Sequence, residues 1–508
     1  MDLGVVRVPI RTASTLNDGL REACGVFGVI APGRQVASLT FDGLYALQHR
    51  GQEAAGMAVS DGETVTVYKD MGLVSAVFDE RTLTALGGHL AIGHTRYSTT
   101  GASTWRNAQP VYRSMGSAGF ALGHNGNLTN TEDLALEMGM LPGVVASDSD
   151  LIAELVARSH PLEQSAGAAE RRGDELELAL AEALPRLAGA FSLVCMDERQ
   201  LIGVRDPNGF RPLCLGRLDE GWVLASESPA LDVVGARFER ELEPGEMVVI
   251  TEQGVTSHHP FPDERIDPRL CLLELVYFAR PDSLLYGREV HLARRRMGEL
   301  LAEVLPVEAD MVMGVPDSGV PAAEGYARAS GIPFGQGLVK NRYIGRTFIA
   351  PDQLQRANSV RRKLNPLRQS IEGRRLVVVD DSIVRGTTTA AMVAMLREAG
   401  ATEVHLRVSS PPYVWPCHYG IDTPDREHLI AAGRSIDEVR DILGADSLAY
   451  LPLAALRQAV SAPGAGFCDA CLTGNYPVPV RAPSTAADCI PEVARGLVQP
   501  VSLGATGN

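Results

Sequence analysis

Residues 375–389, which read Arg-Leu-Val-Val-Val-Asp-Asp-Ser-Ile-Val-Arg-Gly-Thr-Thr-Thr, are the most informative segment of the chain. The apolar run at 376–379 is too short for a helix and has the length of a buried parallel strand. It ends in Asp380 and Asp381, and a loop rich in hydroxyl groups follows. A helical apolar pattern then continues to Gly400, a residue type that favours helix ends. This order predicts an α/β sheet with a ligand site at the carboxyl ends of its strands.

The loop after this strand carries groups suited to a phosphorylated ligand. Backbone N–H groups at residues 386–389, at the start of a helix, form a nest for a phosphate, and the hydroxyl groups add donors. Asp380 and Asp381 can bind a ribose diol, or Mg2+ that also contacts a pyrophosphate. The alternative is that Asp-Asp-Ser only caps the helix. The pattern alone leaves both interpretations open.

Residues 377–388 closely resemble the phosphoribosyl pyrophosphate (PRPP) loop of the type I phosphoribosyltransferases. The resemblance implies an α/β type I phosphoribosyltransferase domain with a parallel sheet, and Mg2+ bound by Asp380 and Asp381. It also implies substrate-binding roles for five loop residues, namely Ser382, Arg385, Gly386, Thr387 and Thr388.

Two further segments of this half are interpreted through the same resemblance. Residues 311–321 form another apolar strand followed by a polar loop, in which Ser318 is either a helix cap or, as the resemblance implies, a third Mg2+ ligand. Residues 340–349 are basic and aromatic without a helical period, which is typical of a solvated loop. In the resembled enzymes this segment closes over PRPP, so Lys340 and Arg342 are expected to bind the substrate.

The first half of the chain contains a strand-like run that starts at Cys24. A lone cysteine in this position is usually a packing residue. Short strand patterns follow, separated by distinctive polar loops at residues 49–56, 93–99 and 123–130. Asp148 precedes a helix that it could cap.

These loops resemble the glutamine amidotransferase domain of the N-terminal-nucleophile hydrolases, an α+β fold with αββα layers. The resemblance implies that Cys24 attacks the glutamine amide and that its own α-amino group serves as the base. Residues 1–23 are then a propeptide that is removed after Ala23.

The resemblance also implies four further residues of the glutamine site. Asn125 and the N–H of Gly126 would form the oxyanion hole, which contributes a few kcal/mol in such enzymes. Arg96 would bind the α-carboxylate of glutamine, and Asp148 would bind its α-amino group.

Four of the eight cysteines are candidates for a metal site. Cys468 and Cys471 form a Cys-x-x-Cys motif, and Cys271 and Cys417 lie in separate segments. Four thiolates bind either structural Zn2+ or an iron–sulfur cluster, and their chemistry alone does not choose between them. One branch of the glutamine PRPP amidotransferases has cysteines in these contexts together with a propeptide and a 4Fe–4S cluster. The resemblance therefore implies a 4Fe–4S cluster with a structural or oxygen-sensing role.

The composition is that of an ordinary globular protein. The chain has 508 residues, 45% of them apolar, and a formal net charge of −15. The acidic charge argues against nucleic acid or an anionic membrane as the main partner. No apolar run approaches the roughly 20 residues of a membrane span, and the first residues lack a signal-peptide pattern, so a cytoplasmic enzyme is expected.

The turn-rich segment 243–268 marks the expected domain junction. Four regions are therefore predicted: a propeptide at 1–23, a class II glutamine amidotransferase domain at 24–250, a phosphoribosyltransferase domain with the cysteine site at 265–478, and a disordered tail at 479–508.

Both halves together resemble the glutamine PRPP amidotransferases. The resemblance implies that PRPP, glutamine and water give 5-phosphoribosylamine, pyrophosphate and glutamate, the first committed step of purine synthesis. It further implies purine nucleotides as feedback inhibitors and a homotetramer. Three alternatives are a base-salvage phosphoribosyltransferase, a PRPP-sensing regulator without the nucleophile, and an amidotransferase acting on a sugar phosphate. The glutamine-site motifs, Cys24 and the PRPP loop respectively argue against them.

Overall fold

The structure is a computed structural model that describes residues 24–97, 104–115, 118–140, 146–159, 175–341, 363–423, 425–461 and 466–480. The predicted propeptide, Arg342 and the tail from residue 481 onward lie outside the described residues.

Two antiparallel sheets make up the first half of the chain. The first sheet contains seven strands in the spatial order Arg237–Glu241, Cys214–Leu218, Gly221–Ala225, Gly25–Ile30, Leu90–Arg96, Ala54–Ser60 and Val65–Met71. The second contains six strands in the order Gly254–His258, Met247–Thr251, Leu201–Arg205, Gly189–Met196, Ala118–Leu128 and Val111–Met115.

Alternating side chains along these strands create four layers. In Gly25–Ile30, Val26 and Ile30 face the core between the two sheets. Phe27 and Val29, on the opposite face, pack with residues of the helix Val36–Ala46. The outer face of the six-stranded sheet is covered by two helices, Asp148–Arg158 and Glu175–Ala183. Since successive strand residues point to opposite faces, each sheet buries both sides and the predicted αββα fold results.

The six-stranded sheet extends past residue 250, where the sequence suggested the first domain would end. Gly254–His258 pairs with Met247–Thr251 as an antiparallel hairpin. Some of the turn-forming residues at 243–268 therefore belong to a hairpin inside the sheet and are not part of a linker.

The second half contains a four-stranded parallel sheet with the order Met311–Gly314, Arg375–Asp380, Glu403–Val408 and Ser447–Tyr450. Val377 and Val379 face a core shared with the helices Val290–Val304, Val320–Ser330 and Leu453–Val460. Leu376 and Val378 face the opposite core, which contains residues of Thr387–Glu398 and Ile436–Leu443. The strand is buried on both faces, which explains its uninterrupted apolar run and confirms the predicted parallel α/β sheet.

Shorter elements complete the fold. Among the described residues, the remaining α-helices are Val74–Val77, Glu80–Ala85, Thr131–Glu137, Pro229–Val233, Arg368–Ile371 and Ala470–Thr473. The same part of the chain has four 3-10 turns, at Trp105–Asn107, Leu184–Arg186, Asp263–Arg265 and Arg426–His428, and one π-helical turn at Glu274–Phe278. Its three two-stranded pairs are Arg269–Cys271 with Gly466–Cys468, Leu284–Leu285 with Arg288–Glu289, and Leu338–Lys340 with Leu364–Pro366. Among the described helices, none has both the length and the apolarity to cross a membrane.

A fully buried ion network joins the two halves. Arg50 binds the carboxylates of Glu227 and Glu274, with 2.6 Å between its Nη2 and Glu274 Oε2. Arg211 binds Glu274 at 2.9 Å and donates two hydrogen bonds to the carbonyl oxygen of Tyr419. Burial opposes ionisation of Glu274, but Arg50 and Arg211 outweigh it and hold the pKa of Glu274 below its ordinary value. Two arginines and two glutamates therefore compensate one another where the halves meet.

Candidate active sites

Cys24 lies directly before the strand Gly25–Ile30, at the wall of a small pocket in the first half. It is buried, and its Sγ lies 3.5 Å from the carbonyl oxygen of Tyr97. Burial raises the pKa of the Cys24 thiol to about 11, although the Tyr97 contact and Arg96 act in the opposite direction. The thiol is therefore neutral in this environment, and it needs a nearby base to become a nucleophile.

Three of the other predicted glutamine-site residues line the same pocket: Arg96, Gly126 and Asp148. Arg96 ends the strand Leu90–Arg96, which pairs with the strand that follows Cys24. Asp148 begins the helix Asp148–Arg158, but the cap of that helix is the hydroxyl of Ser147. The carboxylate of Asp148 instead accepts hydrogen bonds from the backbone N–H groups of Ser149 and Leu128.

Asn125 and Gly126 lie within the long strand Ala118–Leu128. Gly126 has a φ of +155°, and a Cβ there would approach the carbonyl oxygen of Ala190 to 2.0 Å, so a side chain has no room. The side chain of Asn125 is fully buried, and neither its nitrogen nor its oxygen has a hydrogen-bond partner among the described residues. An unpaired buried amide is costly unless a ligand satisfies it.

Five residues that line the pocket were not identified as site residues from the sequence: Tyr97, Gln109, His124, Ser147 and Ser149. The side chain of Gln109 accepts a hydrogen bond from the His124 backbone N–H at 2.7 Å and donates one to the Ser149 hydroxyl at 3.0 Å. The ring of His124 lies 3.1 Å from the same hydroxyl. His124 precedes Asn125 directly, so its position beside that motif was a usable signal. No pattern around Gln109 marks it.

The second site lies at the carboxyl ends of the parallel strands, as predicted. Asp380 ends its strand, and Asp381 follows with a carboxylate that accepts a hydrogen bond from the hydroxyl of Ser382 at 2.6 Å. The hydroxyl of Ser318 lies near the same carboxylate. Burial and then the charge of Asp381 raise the pKa of Asp380 well above its ordinary value. Burial likewise raises the pKa of Asp381, while the hydrogen bonds and Arg294 act against it. A buried acidic pair of this kind favours a bound cation or proton.

The loop that follows has the backbone form expected of a phosphate nest. Gly386 has a φ of +82° and precedes the helix Thr387–Glu398, in whose first turn Thr387 and Thr388 are exposed. A Cβ at residue 386 would lie 2.3 Å from a side-chain atom of Ile430, so both the conformation and the packing favour glycine. Arg385 is half-buried in the same loop.

Neighbouring segments bring two further predicted residues to this edge. The N–H of Val315 donates to the carbonyl oxygen of Val379, which places the loop containing Ser318 beside the acidic pair. The ammonium group of Lys340 lies 2.5 Å from the carboxylate of Asp317 in that loop. Asp317 was not predicted.

The predicted metal-site cysteines Cys271, Cys417, Cys468 and Cys471 line one pocket, and none forms a disulfide. Cys271 and Cys468 are direct partners in a parallel strand pair. The N–H of Tyr419 donates to the sulfur of Cys417 at 3.3 Å. Within the described part of the chain, no three of these sulfurs lie within 4.8 Å of one another. The site thus has the four thiol donors that a metal centre requires.

Comparison with known families agrees with both halves of the fold. Residues 94–233 match the glutamine amidotransferase domain family, and residues 287–410 match the phosphoribosyl transferase domain family. Together with the αββα layers and the parallel sheet, these matches define a phosphoribosyltransferase joined to a glutamine amidotransferase.

Relatives similar along most of the chain identify the family more narrowly. The amidophosphoribosyltransferase of Mycobacterium tuberculosis is 54% identical over 471 residues, which cover 90% of this chain and 87% of the relative. The Bacillus subtilis enzyme is 44% identical, with 91% and 95% coverage. A solved structure of the glutamine PRPP amidotransferase from B. subtilis, complexed with ADP and GMP, has a TM-score of 0.82, 44% identity, and coverage of 91% and 99%.

The chain belongs to the amidophosphoribosyltransferase family. It therefore makes 5-phosphoribosylamine, pyrophosphate and glutamate from PRPP, glutamine and water, which is the first step of purine biosynthesis. This confirms the function that the sequence motifs predicted.

Proposed function

We propose that Cys24 releases ammonia from glutamine in the first half of the chain. Its thiolate attacks the amide carbon, and the negative oxygen that forms is bound by the Asn125 side-chain amide and the N–H of Gly126. The unpaired, buried amide of Asn125 supports this role, because a developing oxyanion supplies the missing acceptor. Arg96 and Asp148 bind the two charged groups of glutamine. The convergence of Cys24, Arg96, Gly126 and Asp148 on one pocket is the observation that carries this assignment.

The base in this scheme is the α-amino group of Cys24 itself. A thiol whose pKa is raised to about 11 transfers its proton only to a base within contact distance. In the unprocessed chain the nitrogen of Cys24 is a peptide nitrogen and cannot accept a proton. We therefore assign residues 1–23 as a propeptide whose removal creates the base.

The second reaction takes place at the acidic pair. Asp380, Asp381 and the hydroxyl of Ser318 provide oxygen ligands of the kind that Mg2+ prefers, and the raised pKa values of the two carboxylates support a cation there. When bound, Mg2+ neutralises charge on the leaving pyrophosphate.

The neighbouring loop and lysine bind the phosphate groups in this proposal. The backbone and hydroxyl groups of Ser382, Arg385, Gly386, Thr387 and Thr388 hold the 5-phosphate and ribose. Lys340 moves from Asp317 to a pyrophosphate oxygen, and Arg342 assists it. The 2.5 Å ion pair of Lys340 supports this role, since it keeps the ammonium group at the same edge.

The four cysteines hold a 4Fe–4S cluster in this proposal, with structural Zn2+ as the alternative. The four cysteines line one pocket and none of them forms a disulfide, which supports a shared metal centre. Four thiolates would bind either group, and the 4Fe–4S cluster is proposed because the contexts of these cysteines resemble those of the propeptide-containing branch of the family. Iron and sulfide analysis after anaerobic purification tests it, and stoichiometric zinc would overturn it.

Regulation and assembly are proposed from the relatives. Because the similar B. subtilis structure is a complex with ADP and GMP, we propose purine nucleotides as inhibitors of this chain. We also propose a homotetramer as its assembly, as the resemblance to the glutamine PRPP amidotransferases implies. Initial rates measured with each nucleotide, and sedimentation of the purified enzyme, test these two points separately.

The decisive experiment measures glutamate and pyrophosphate together in an anaerobic assay with PRPP, Mg2+ and glutamine. Near-equal release of both, requiring both substrates, is expected. In the Cys24→Ser variant, glutamine-dependent synthesis should be lost, while ammonium-dependent synthesis persists because the second site is unchanged. Loss of both activities in a folded variant would contradict the division into two sites.

A further inference from the structure

A four-residue segment connects the cysteine site with the glutamine pocket. Cys417 lines the pocket formed by the four cysteines. Three residues later, Gly420 lies against Gly126, which lines the pocket of Cys24. The segment 417–420 thus belongs to the phosphoribosyltransferase half by sequence, but it packs on the strand that carries the proposed oxyanion hole.

The contact between Gly420 and Gly126 leaves no spare space. A Cβ at residue 420 would lie 2.9 Å from both the Cα and the carbonyl carbon of Gly126, and these are backbone atoms that cannot rotate away. Gly420 also has a φ of +97°, a conformation that residues with side chains rarely adopt. Gly126 is also close to the carbonyl oxygen of Ala190, which a Cβ at residue 126 would approach to 2.0 Å. Its backbone therefore has two close neighbours.

Hydrogen bonds fix the rest of the segment to the first half of the chain. The side-chain amide of Asn127 donates to the carbonyl oxygen of His418 at 2.9 Å. The guanidinium of Arg211 donates to the carbonyl oxygen of Tyr419 at 2.9 and 2.8 Å. The ring of Tyr419 stacks on Phe210 with centroids 4.4 Å apart. Hydrogen bonds thus connect the residues before Gly420 with Asn127, which follows Gly126, and with Arg211.

We propose that the segment 417–420 is a positioning element for the oxyanion hole, and that Cys417, when held by its metal centre, fixes Gly126 through Gly420. This rests on the proposed roles of Gly126 and of the four cysteines. An N–H group stabilises an oxyanion only within a narrow range of distances. A shift of the segment therefore lowers the rate of glutamine hydrolysis while glutamine binding through Arg96 and Asp148 is retained.

The test compares Gly420→Ala with Gly235→Ala in the full-length processed enzyme. Gly235 also has a positive φ, +74°, but nothing lies within 4 Å of its missing Cβ, so its variant controls for backbone strain alone. For Gly420→Ala, kcat with glutamine should fall by about 10-fold or more, approaching the loss of an oxyanion-hole donor. The KM for glutamine, the ammonium-dependent rate and the iron content should stay close to those of Gly235→Ala.

Asn127→Ala provides a second variant in case Gly420→Ala does not fold. It removes the hydrogen bond to His418 without adding atoms. We expect the same selective loss of kcat with glutamine, but a smaller one than in Gly420→Ala. The rate at which a glutamine-like diazoketone labels Cys24 should fall in parallel, because that reaction also places an oxygen in the hole.

The outcomes separate this inference from the proposed function. If the wild-type enzyme shows no glutamine-dependent activity, the proposed function fails first. If the wild type is active and both variants retain its kcat with glutamine, the positioning role is wrong. A parallel fall in ammonium-dependent activity would also overturn it, since that result indicates general damage to the fold.

Discussion

Replacing Glu274 by Gln should lower the free energy of unfolding by about 3 kcal/mol, because it disrupts the ion network between the two halves. This value is near the lower end of the range for breaking a buried ion pair. Glu274 accepts three hydrogen bonds, from Arg50 Nη1 at 3.2 Å, Arg50 Nη2 at 2.6 Å and Arg211 Nη1 at 2.9 Å. The side chain of the introduced Gln keeps one oxygen, which still accepts hydrogen bonds from Arg50 Nη1 and Arg211 Nη1. Its NH2 group then faces Arg50 Nη2, so the shortest bond becomes a contact between two donors. One negative charge is also lost beside two buried arginines.

The assay is urea unfolding at pH 7, with circular dichroism and tyrosine and tryptophan fluorescence as separate probes. The urea dependence of the unfolding free energy reaches about 3 kcal/mol per molar in small proteins and rises with size, so in this 508-residue chain a loss of about 3 kcal/mol lowers the midpoint by about 1 M or less. Glu303→Gln is the matched control, because Glu303 pairs with Arg296 at 3.2 Å on the surface. An exposed pair contributes at most about 1 kcal/mol, so its midpoint should shift much less. Equal midpoints for the two variants would refute the reasoning.

The same prediction has a defined dependence on pH. Because the pKa of Glu274 is lowered from its ordinary value of 4.5, its ionised form stabilises the folded state above about pH 4.5. This contribution is lost as the pH falls through the lowered pKa of the folded state. The difference between the wild type and Glu274→Gln should therefore be largest near neutral pH and should narrow in acid. A difference that widens as the pH falls would mean that the ion network is not its origin.

Three further predictions concern the sites. Replacing Asp380 and Asp381 by Asn should lower pyrophosphate release by about 100-fold or more with either nitrogen source, since electrostatic stabilisation typically contributes at least that much; substantial residual release would count against the Mg2+ assignment. Arg96→Ala should raise the KM for glutamine strongly, because a charge-assisted hydrogen bond is lost, and ammonium-dependent kinetics should not change. Cys417→Ser should lower the iron content and visible absorbance after anaerobic purification, and full retention of both would exclude Cys417 as a ligand.

The local parts of both sites could be predicted because short segments carry them. Asp380 and Asp381 follow a buried strand directly, so the sequence itself states that two carboxylates lie at a strand end. The glycines of the two sites are recognisable in the same way, since Gly126 and Gly386 stand in motifs of distinctive composition and the structure shows close packing at both. A short motif predicts local structure best where the backbone conformation and packing admit few residue types.

Contacts between distant segments could not be predicted in this way. Gln109 reaches the pocket of Cys24 because its side chain bridges His124 and Ser149, and neither residue is adjacent to it in the sequence. Ser147, and not Asp148, caps the following helix, which leaves the Asp148 carboxylate available to the pocket. A pattern of residue types near a helix start does not distinguish these two arrangements, because both residues are good caps.

The interface between the two halves could not be recognised from the sequence, which therefore predicted two separate domains. Hydrophobic periodicity identifies the interior of each half, but part of the contact between them is made by Arg50, Glu227, Glu274 and Arg211, residue types that usually lie on the surface. Arg50 and Glu274 are more than 200 positions apart, so nothing local marks their pairing. Buried charges require specific partners in specific directions. The ion network therefore adds partner-specific contacts between the two halves. Arg211 belongs to this network and also donates hydrogen bonds to the carbonyl oxygen of Tyr419. The same network therefore helps to hold the segment 417–420 against Gly126.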